Sequence, residues 1–234
     1  MIHHFDTELD NLKQKLLAMA SHAETAVNRA VQALVERDYG LALQVKADDK
    51  VLDQFEIEID DLAIHLLAKA PLASDLRLIT VAMKISQNLE RVGDEAAKIA
   101  KRARDLSHEP PLKQSVDIPA MARLVLQMLK KSLDSFVDHD PAAARALIPS
   151  DKEVDALNKQ IHRDLAQIMV ADPETIPRCL NLMIVSKSLE RIADHATNVA
   201  EEVVYLCEAQ DIRHPGATSK FQDPTSKEAP GSKP

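Results

Sequence analysis

The sequence predicts an all-α protein built as two tandem three-helix bundles, six long antiparallel helices in all. Three observations predict it. Of 234 residues only 4 are glycine and 3% aromatic, while 45% are hydrophobic. Sheets need more turn glycines and more β-branched and aromatic residues than that. Apolar residues recur at alternating spacings of four and three over stretches of roughly 30 residues, the seam of a packed helix. The chain also restates itself: Leu89-Glu90-Arg91-Val92-Gly93-Asp94-Glu95-Ala96 returns one hundred residues on as Leu189-Glu190-Arg191-Ile192-Ala193-Asp194-His195-Ala196. Asp49-Lys50-Val51-Leu52-Asp53 likewise returns as Asp151-Lys152-Glu153-Val154-Asp155, with a two-residue slip that a loop absorbs. Self-similarity at a fixed period marks tandem structural units.

The first helix is expected over 7–36, with Leu12, Leu16, Met19, Ala23, Ala26, Ala30 and Ala33 inward. Asp38-Tyr39-Gly40 turns the chain. The second helix follows to 70, with Leu52, Phe55, Ile59, Leu62 and Leu66 on its core face, and Pro71 stops it. The third is expected over 74–106 on the seam Leu78, Ala82, Ile85, Leu89, Val92, Ala96 and Ile99. Pro110-Pro111 marks the linker. The fourth begins at Asp117, read as its N-cap with Pro119 in the first turn, and buries Val125, Leu129, Ser132 and Phe136. The fifth is expected unbroken over 141–170, and the sixth over 176–209 on a seam from Leu182 to Val203. The domain reading is a first repeat over 1–106, a linker over 107–116, a second repeat over 117–210 and a disordered tail over 211–234.

Net charge is −8 with no basic run, so the electrostatic footprint for binding nucleic acid is missing. No segment approaches the roughly 18 uninterrupted apolar residues of a membrane span, and no signal peptide opens the chain. Cys179 and Cys207 belong to no recognisable motif and read as reduced thiols. The expectation is a soluble cytoplasmic protein that meets a membrane only through partners.

The duplicated carboxylates carry the chemistry. At 3.6 residues per turn, with Leu89 at zero, Glu90 falls at about 100° and Asp94 at about 140°, away from a seam centred near about −30°. Glu190 and Asp194 repeat that phase. Asp53 and Asp155 follow the seam residues Leu52 and Val154, so the second and fifth helices present their acids at a similar angle. If those faces meet, each bundle gains a surface cluster of four carboxylates. Like charges four residues apart repel, and an all-oxygen cluster suits a hard cation. The pattern also fits an ion-paired solvated face, because Lys46, Lys50, Arg91, Lys152, Lys187 and Arg191 each precede one of the acids by three positions. Beyond the motif the second stripe continues through Asn198 and Glu201, whereas the first continues through Lys98 and Lys101. The second bundle is therefore expected to bind cations more tightly. No Glu-x-x-His, phosphate loop or nucleophile motif is present, so nothing in the sequence proposes an enzyme.

The paired Leu-Glu-Arg-Ile/Val-Ala/Gly-Asp segments resemble the signature of the PhoU family, as does the continuation from His195 to Glu201. The start Phe5-Asp6-Thr7-Glu8-Leu9 and the Asp-x-x-x-Asp of each second helix fit as well. The resemblance covers residues 3–209. It implies two three-helix bundles whose repeated motifs hold multinuclear metal clusters (iron, Mn, Mg or Zn). The ligands would be Asp49, Asp53, Glu90 and Asp94 in one repeat, and Asp151, Asp155, Glu190 and Asp194 with Asn198 and Glu201 in the other. It further implies a homodimeric negative regulator of the phosphate-starvation response and of phosphate uptake. Such a regulator is an adaptor between the ATPase of the phosphate ABC transporter and the sensor histidine kinase of a two-component system. Alternatives from other classes are a metal-storage bundle and a purely structural helical scaffold.

Overall fold

The computed structural model describes residues 2–70, 72–114 and 116–213; of the tail expected over 211–234, residues 214–234 lie outside them. The described chain is α1 (Ile2–Glu36), α2 (Tyr39–Leu67), α3 (Ala73–Ser107), α4 (Ile118–Val137), α5 (Pro141–Leu147), α6 (Asp151–Ala171) and α7 (Ile176–Glu208). Single 3-10 turns at Ile148–Ser150 and Pro173–Thr175 complete it.

The fifth helix departs from expectation. Pro149 has no N–H to give, and its ring crowds the preceding turn, so the helix tightens to one 3-10 turn between α5 and α6. Ile148 (φ −50°, ψ −42°) and Asp151 (φ −55°, ψ −41°) keep right-handed helical angles. The chain therefore continues as one rod with a pinch, and six rods build the fold.

Local chemistry fixes the turns. Asp38 caps α2 by accepting from Leu41 N, and its repeat mate Asp140 caps α5 by accepting from Ala142 N and Ala143 N. Arg37 and His139, immediately before these caps, both take left-handed backbone angles (φ 58° and 52°). Asp117 does not cap α4: its side chain makes no cap hydrogen bond, and the N–H of Ile118 turns back to Val116 O.

The expected seams are the core. Leu12, Leu16, Met19, Ala23, Ala30 and Ala33 of α1 are buried, as are Leu89, Val92, Ala96 and Ile99 of α3 and their mates Leu189, Ile192, Ala196 and Val199 of α7. Ala26 is only partly buried, and its neighbour Val27 takes the interior place. α1 packs on α2 and α3, while α4 packs on α5, α6 and α7.

The two bundles meet along α3 and α7. Lys84 faces Glu202, Asn88 faces His195 and Asn198, Glu95 faces Arg191, and Arg102 faces Asn181. Numbers rise on one helix as they fall on the other, so the pair is antiparallel. The seam has an internal two-fold relation: shifting each partner by one repeat converts the Asn88–His195 contact into the Glu95–Ser188 hydrogen bond. This arrangement sets α2 beside α3 and α6 beside α7, one site-bearing pair on either side of the seam.

Candidate functional site

In each repeat the carboxylates lie between two neighbouring helices. Asp49 and Asp53 of α2 lie within electrostatic range of Glu90 and Asp94 of α3. Asp151 and Asp155 of α6 are gathered with Glu190 and Asp194 of α7. The side chains point away from the core, as their phase requires, yet they are not freely solvated: Glu90 and Glu190 are each 14% exposed. Gly93 permits the close approach in the first repeat. A Cβ there would meet Leu52 Cδ1 at 2.3 Å, with Asp49 Oδ1 only 3.6 Å away.

Crowding acids in a half-buried cleft raises their pKa values. Burial, then the charges of Asp94 and Asp53, push Asp49 up, and the Lys98 ammonium partly offsets them. Burial and the charge of Asp94 push Glu90 up against the opposing pull of Arg91. Burial, Asp155 and Glu190 raise Asp151. Asp194 is pushed up to about 6 by burial, then Glu190 and Asp151, with Lys187 pulling the other way. These shifts share one sense: both clusters disfavour their own full ionisation.

Most of the expected ion pairs do not form. Of the six cations three positions before an acid, Arg91 reaches Asp94 at 3.4 Å and Lys187 contacts Glu190. Arg191 turns instead to Glu95, at 3.1 Å. Among the described residues no ion pair joins Lys46, Lys50 or Lys152 to its acid. Asp151 Oδ1 is buried without a hydrogen-bond partner. Glu90 Oε2 and Glu190 Oε2 lie against Arg91 and Lys187 but accept no hydrogen bond from them. Buried carboxylate oxygens left in this condition are costly.

Whether the donor set fits a cation can be judged on these atoms. All eight groups offer hard oxygen, three of their buried oxygens lack hydrogen bonds, and each cluster repels itself, so the chemistry suits a hard divalent ion. The geometry is not preassembled: among the described residues no three His, Cys, Asp or Glu side chains converge as a ready-made metal centre. Asn198 donates to Asn88 Oδ1 at 3.1 Å across the α3–α7 seam. Glu201 lies within electrostatic range of Arg213. The charged groups that act on Asp151 are Asp155 and Glu190, and those that act on Asp194 are Glu190, Asp151, Lys187 and Asp155.

Sequence reasoning missed four acids. Glu56 and Asp60 extend the stripe of Asp49 and Asp53 along α2, and Glu56 sits within reach of Asp53, Asp94 and Asp60. Their spacing from Asp53, three and then seven residues, was the available signal. Glu95 and Glu202 are buried at the seam. Glu95 accepts from Lys98 and Arg191, and Glu202 from Lys84 and Arg213. No periodicity within one helix reveals them, because a facing helix buries them.

A tandem all-helical protein with one outward carboxylate cluster per three-helix repeat is the class this fold and site define. Residues 16–103 and 118–203 each match the PhoU domain. The chain belongs to the PhoU family. It is 42% identical over 216 residues to a Pseudomonas aeruginosa protein described as a phosphate-specific transport system accessory protein PhoU homolog, covering 92% of this chain and 89% of that one. An Aquifex aeolicus protein of the same description is 39% identical over 88% of this chain and 94% of its own length. The crystal structure of PhoU from Pseudomonas aeruginosa superposes with a TM-score of 0.85 at 41% identity, over 88% of this chain and all of that one. That of the phosphate transport system regulatory protein PhoU from Streptococcus pneumoniae superposes at 0.82 with 28% identity, over 89% and 99% of the two chains.

Proposed function

We propose that this protein is an accessory regulator of phosphate transport that represses the phosphate-starvation response and uptake when phosphate is plentiful. The observation that carries the reading is the match of both repeats to a family whose relatives are named as accessory or regulatory proteins of a phosphate transport system. In this reading the chain is an adaptor: it links the ATPase of the phosphate transporter to a sensor histidine kinase and restrains both. The α3–α7 seam supports such a role, because it couples the two bundles into one platform while leaving α2 and α6 open along their outer faces. Among the described residues no helix is long and apolar enough to cross a membrane, so membrane contact would run through those partners.

The same proposal assigns a metal role to the clusters. Asp49, Asp53, Glu90 and Asp94 would hold hard cations in the first repeat, and Asp151, Asp155, Glu190 and Asp194 in the second. A bound cation would supply positive charge that lets the carboxylates ionise together, and so would stiffen the α2–α3 and α6–α7 pairs. The chain's own contribution is to aim oxygens outward and to withhold most of the neighbouring lysines. Deleting the gene should derepress phosphate-scavenging genes in phosphate-rich medium, and unchanged expression would overturn the adaptor reading. Co-purification with the transporter ATPase and the kinase, for wild type and for Glu190→Gln with Asp194→Asn, separates docking from metal input. Retained binding with lost repression would make the cluster a regulatory input.

A further inference from the structure

The two repeats match along their seams and clusters, but they differ sharply in the groove just beyond each cluster. In the first repeat a groove of about 320 Å³ opens between α2 and α3, lined by Glu56, Asp60, Thr80, Met83, Lys84 and Gln87. Ile57 and Ile64 stand exposed along α2 beside it, and Leu76 along α3, at 56%, 62% and 41%. The two isoleucines are two turns apart, about 10 Å at 1.5 Å per residue. The matching positions of the second repeat read Asn158, His162, Leu180, Met183, Ile184 and Lys187, with Lys159 and Ala166 in place of the isoleucines. That counterpart has no carboxylate. The core seams and acidic motifs correspond between the repeats while this exposed groove does not, which points to two surfaces with different partners.

We propose that the first-repeat groove is the docking site for a basic amphipathic segment of a partner protein, an apolar ridge flanked by Lys or Arg. Charge complementarity selects that occupant. Glu56 and Asp60 line the groove, and Asp53 and Asp61 continue the acidic edge of α2. The one cation in the lining, Lys84, is committed to Glu202 at 3.1 Å and lies over the Tyr205 ring. The wall therefore carries net negative charge beside apolar side chains, offset only in part by Arg91 near Glu56. A helix laid along α2 would set one apolar residue against Ile57 and another, two turns on, against Ile64 and Leu76, and its flanking cations would reach Glu56 and Asp60. Such pairing gives orientation and specificity, while the buried isoleucine surface gives affinity. The inference deepens the adaptor reading and rests on it for the occupant's being a protein.

The test uses the full chain and a defined probe: an 18-residue fluorescein-labelled peptide of Leu and Lys, patterned as an amphipathic helix, followed by anisotropy at about 150 mM salt, where long-range attraction is screened. Saturable binding is expected. Glu56→Gln with Asp60→Asn should weaken it at least tenfold, and Ile64→Ser at least fivefold. Glu153→Gln with Asp164→Asn, on α6 of the other repeat, should leave it within twofold, and a Glu-for-Lys probe should not bind. Equal loss from both acidic double variants, or binding that never saturates, would reduce the groove to general electrostatic adhesion and overturn the proposal. If the probe fails while gene deletion still derepresses phosphate scavenging, this inference falls and the adaptor reading stands. If the probe binds as expected while deletion changes nothing, the adaptor reading falls and the groove stands as a docking site.

Discussion

Arg191 reaches from one repeat into the other, donating to Glu95 Oε1 at 3.1 Å. Glu95 also accepts from Lys98 at 2.9 Å and from Ser188, and its side chain is only 6% exposed. Burial alone would raise its pKa; the hydrogen bonds from Lys98, Ser188 and Arg191 outweigh that and hold it below its ordinary value. The charged centre of the seam is thus one buried carboxylate with two half-exposed cations.

Removing the carboxylate should loosen the joint between the repeats. Lys98 and Arg191 can rehydrate when Glu95 is lost, so the penalty is that of the broken hydrogen bonds and the vacated volume. Glu95→Ala is expected to cost about 2 kcal/mol and Arg191→Ala about 1 kcal/mol. Urea unfolding gives both numbers. The double variant should cost less than the sum, since the two residues share one interaction. Strict additivity would mean that the bond contributes nothing to the seam.

The pH dependence of the clusters runs opposite to that of Glu95. A carboxylate whose folded pKa lies above its unfolded value destabilises the fold at high pH, and that penalty is relieved as pH falls through the folded pKa. Asp194, at about 6 against an ordinary 3.8, should give back stability between pH 7 and pH 4. Asp49, Glu56, Glu90 and Asp151, all raised, act in the same direction. Glu95, whose folded pKa is depressed, loses its contribution only at lower pH. Metal-free protein should therefore melt higher at pH 5.5 than at pH 7.5. Asp194→Asn should raise the melting temperature at pH 7.5 and flatten the profile, and a profile unchanged by that substitution would mean that Asp194 ionises as freely as a surface residue.

A divalent cation should do at neutral pH what protons do at acid pH. Adding Mg²⁺ or Mn²⁺ at pH 7.5 should stabilise the metal-free chain by mass action, and the gain should shrink at pH 5.5 as protons compete for the same oxygens. Asp151→Asn with Glu190→Gln should remove the part of the gain that belongs to the second repeat. The second cluster should bind the more tightly of the two, because Arg91 and Lys98 both act on acids of the first whereas Lys187 acts on the second. Isothermal titration of wild type against Asp49→Asn with Asp53→Asn, and against the second-repeat variant, compares them. Equal affinities would sink the asymmetry, and no cation effect on melting in any variant would sink the metal role.

What the sequence made legible follows from what each feature depends on. The seams of α1, α3 and α7 depend on helical period within one segment, and most of the leucines and alanines expected inward are buried, with Ala26, Leu78 and Leu182 only partly so. The outward angle of the four carboxylates in each repeat also followed from phase, since each acid sits at a fixed angle from a seam residue. That they fall within electrostatic range of one another depends on how α2 meets α3 and α6 meets α7. The ion pairs did not follow. A cation three positions before an acid can reach it, but Arg191 found a better acceptor in Glu95 on the facing helix. Asn198 was similarly claimed by Asn88. Both depend on how α3 meets α7, which the period of one helix does not contain. The fifth helix is expected unbroken although Pro149 lies inside it; the proline is the available signal, and it produces a tightened turn rather than an end.

Gly93 is where the repeats cannot be interchanged. Its mate Ala193 is fully buried and accommodated, whereas a methyl at Gly93 would press on Leu52 Cδ1 at 2.3 Å. Helix propensity favours alanine over glycine by about 1 kcal/mol, and overpacking a tight helix crossing costs about 1–3 kcal/mol. Because the clash meets the end of a leucine side chain, Leu52 can turn aside, but it is itself only 2% exposed and has little room. The net expectation for Gly93→Ala is a loss of about 1 kcal/mol in urea unfolding. The larger effect should fall on the site: α2 moves away from α3, and Asp49, 3.6 Å from the new methyl position, withdraws from Asp94. Cation binding to the first cluster should weaken severalfold, as titration in an Asp151→Asn, Glu190→Gln background would measure, while binding to the second, titrated in an Asp49→Asn, Asp53→Asn background, should be unchanged. Full retention of first-cluster binding would mean that the close approach at Gly93 serves packing alone.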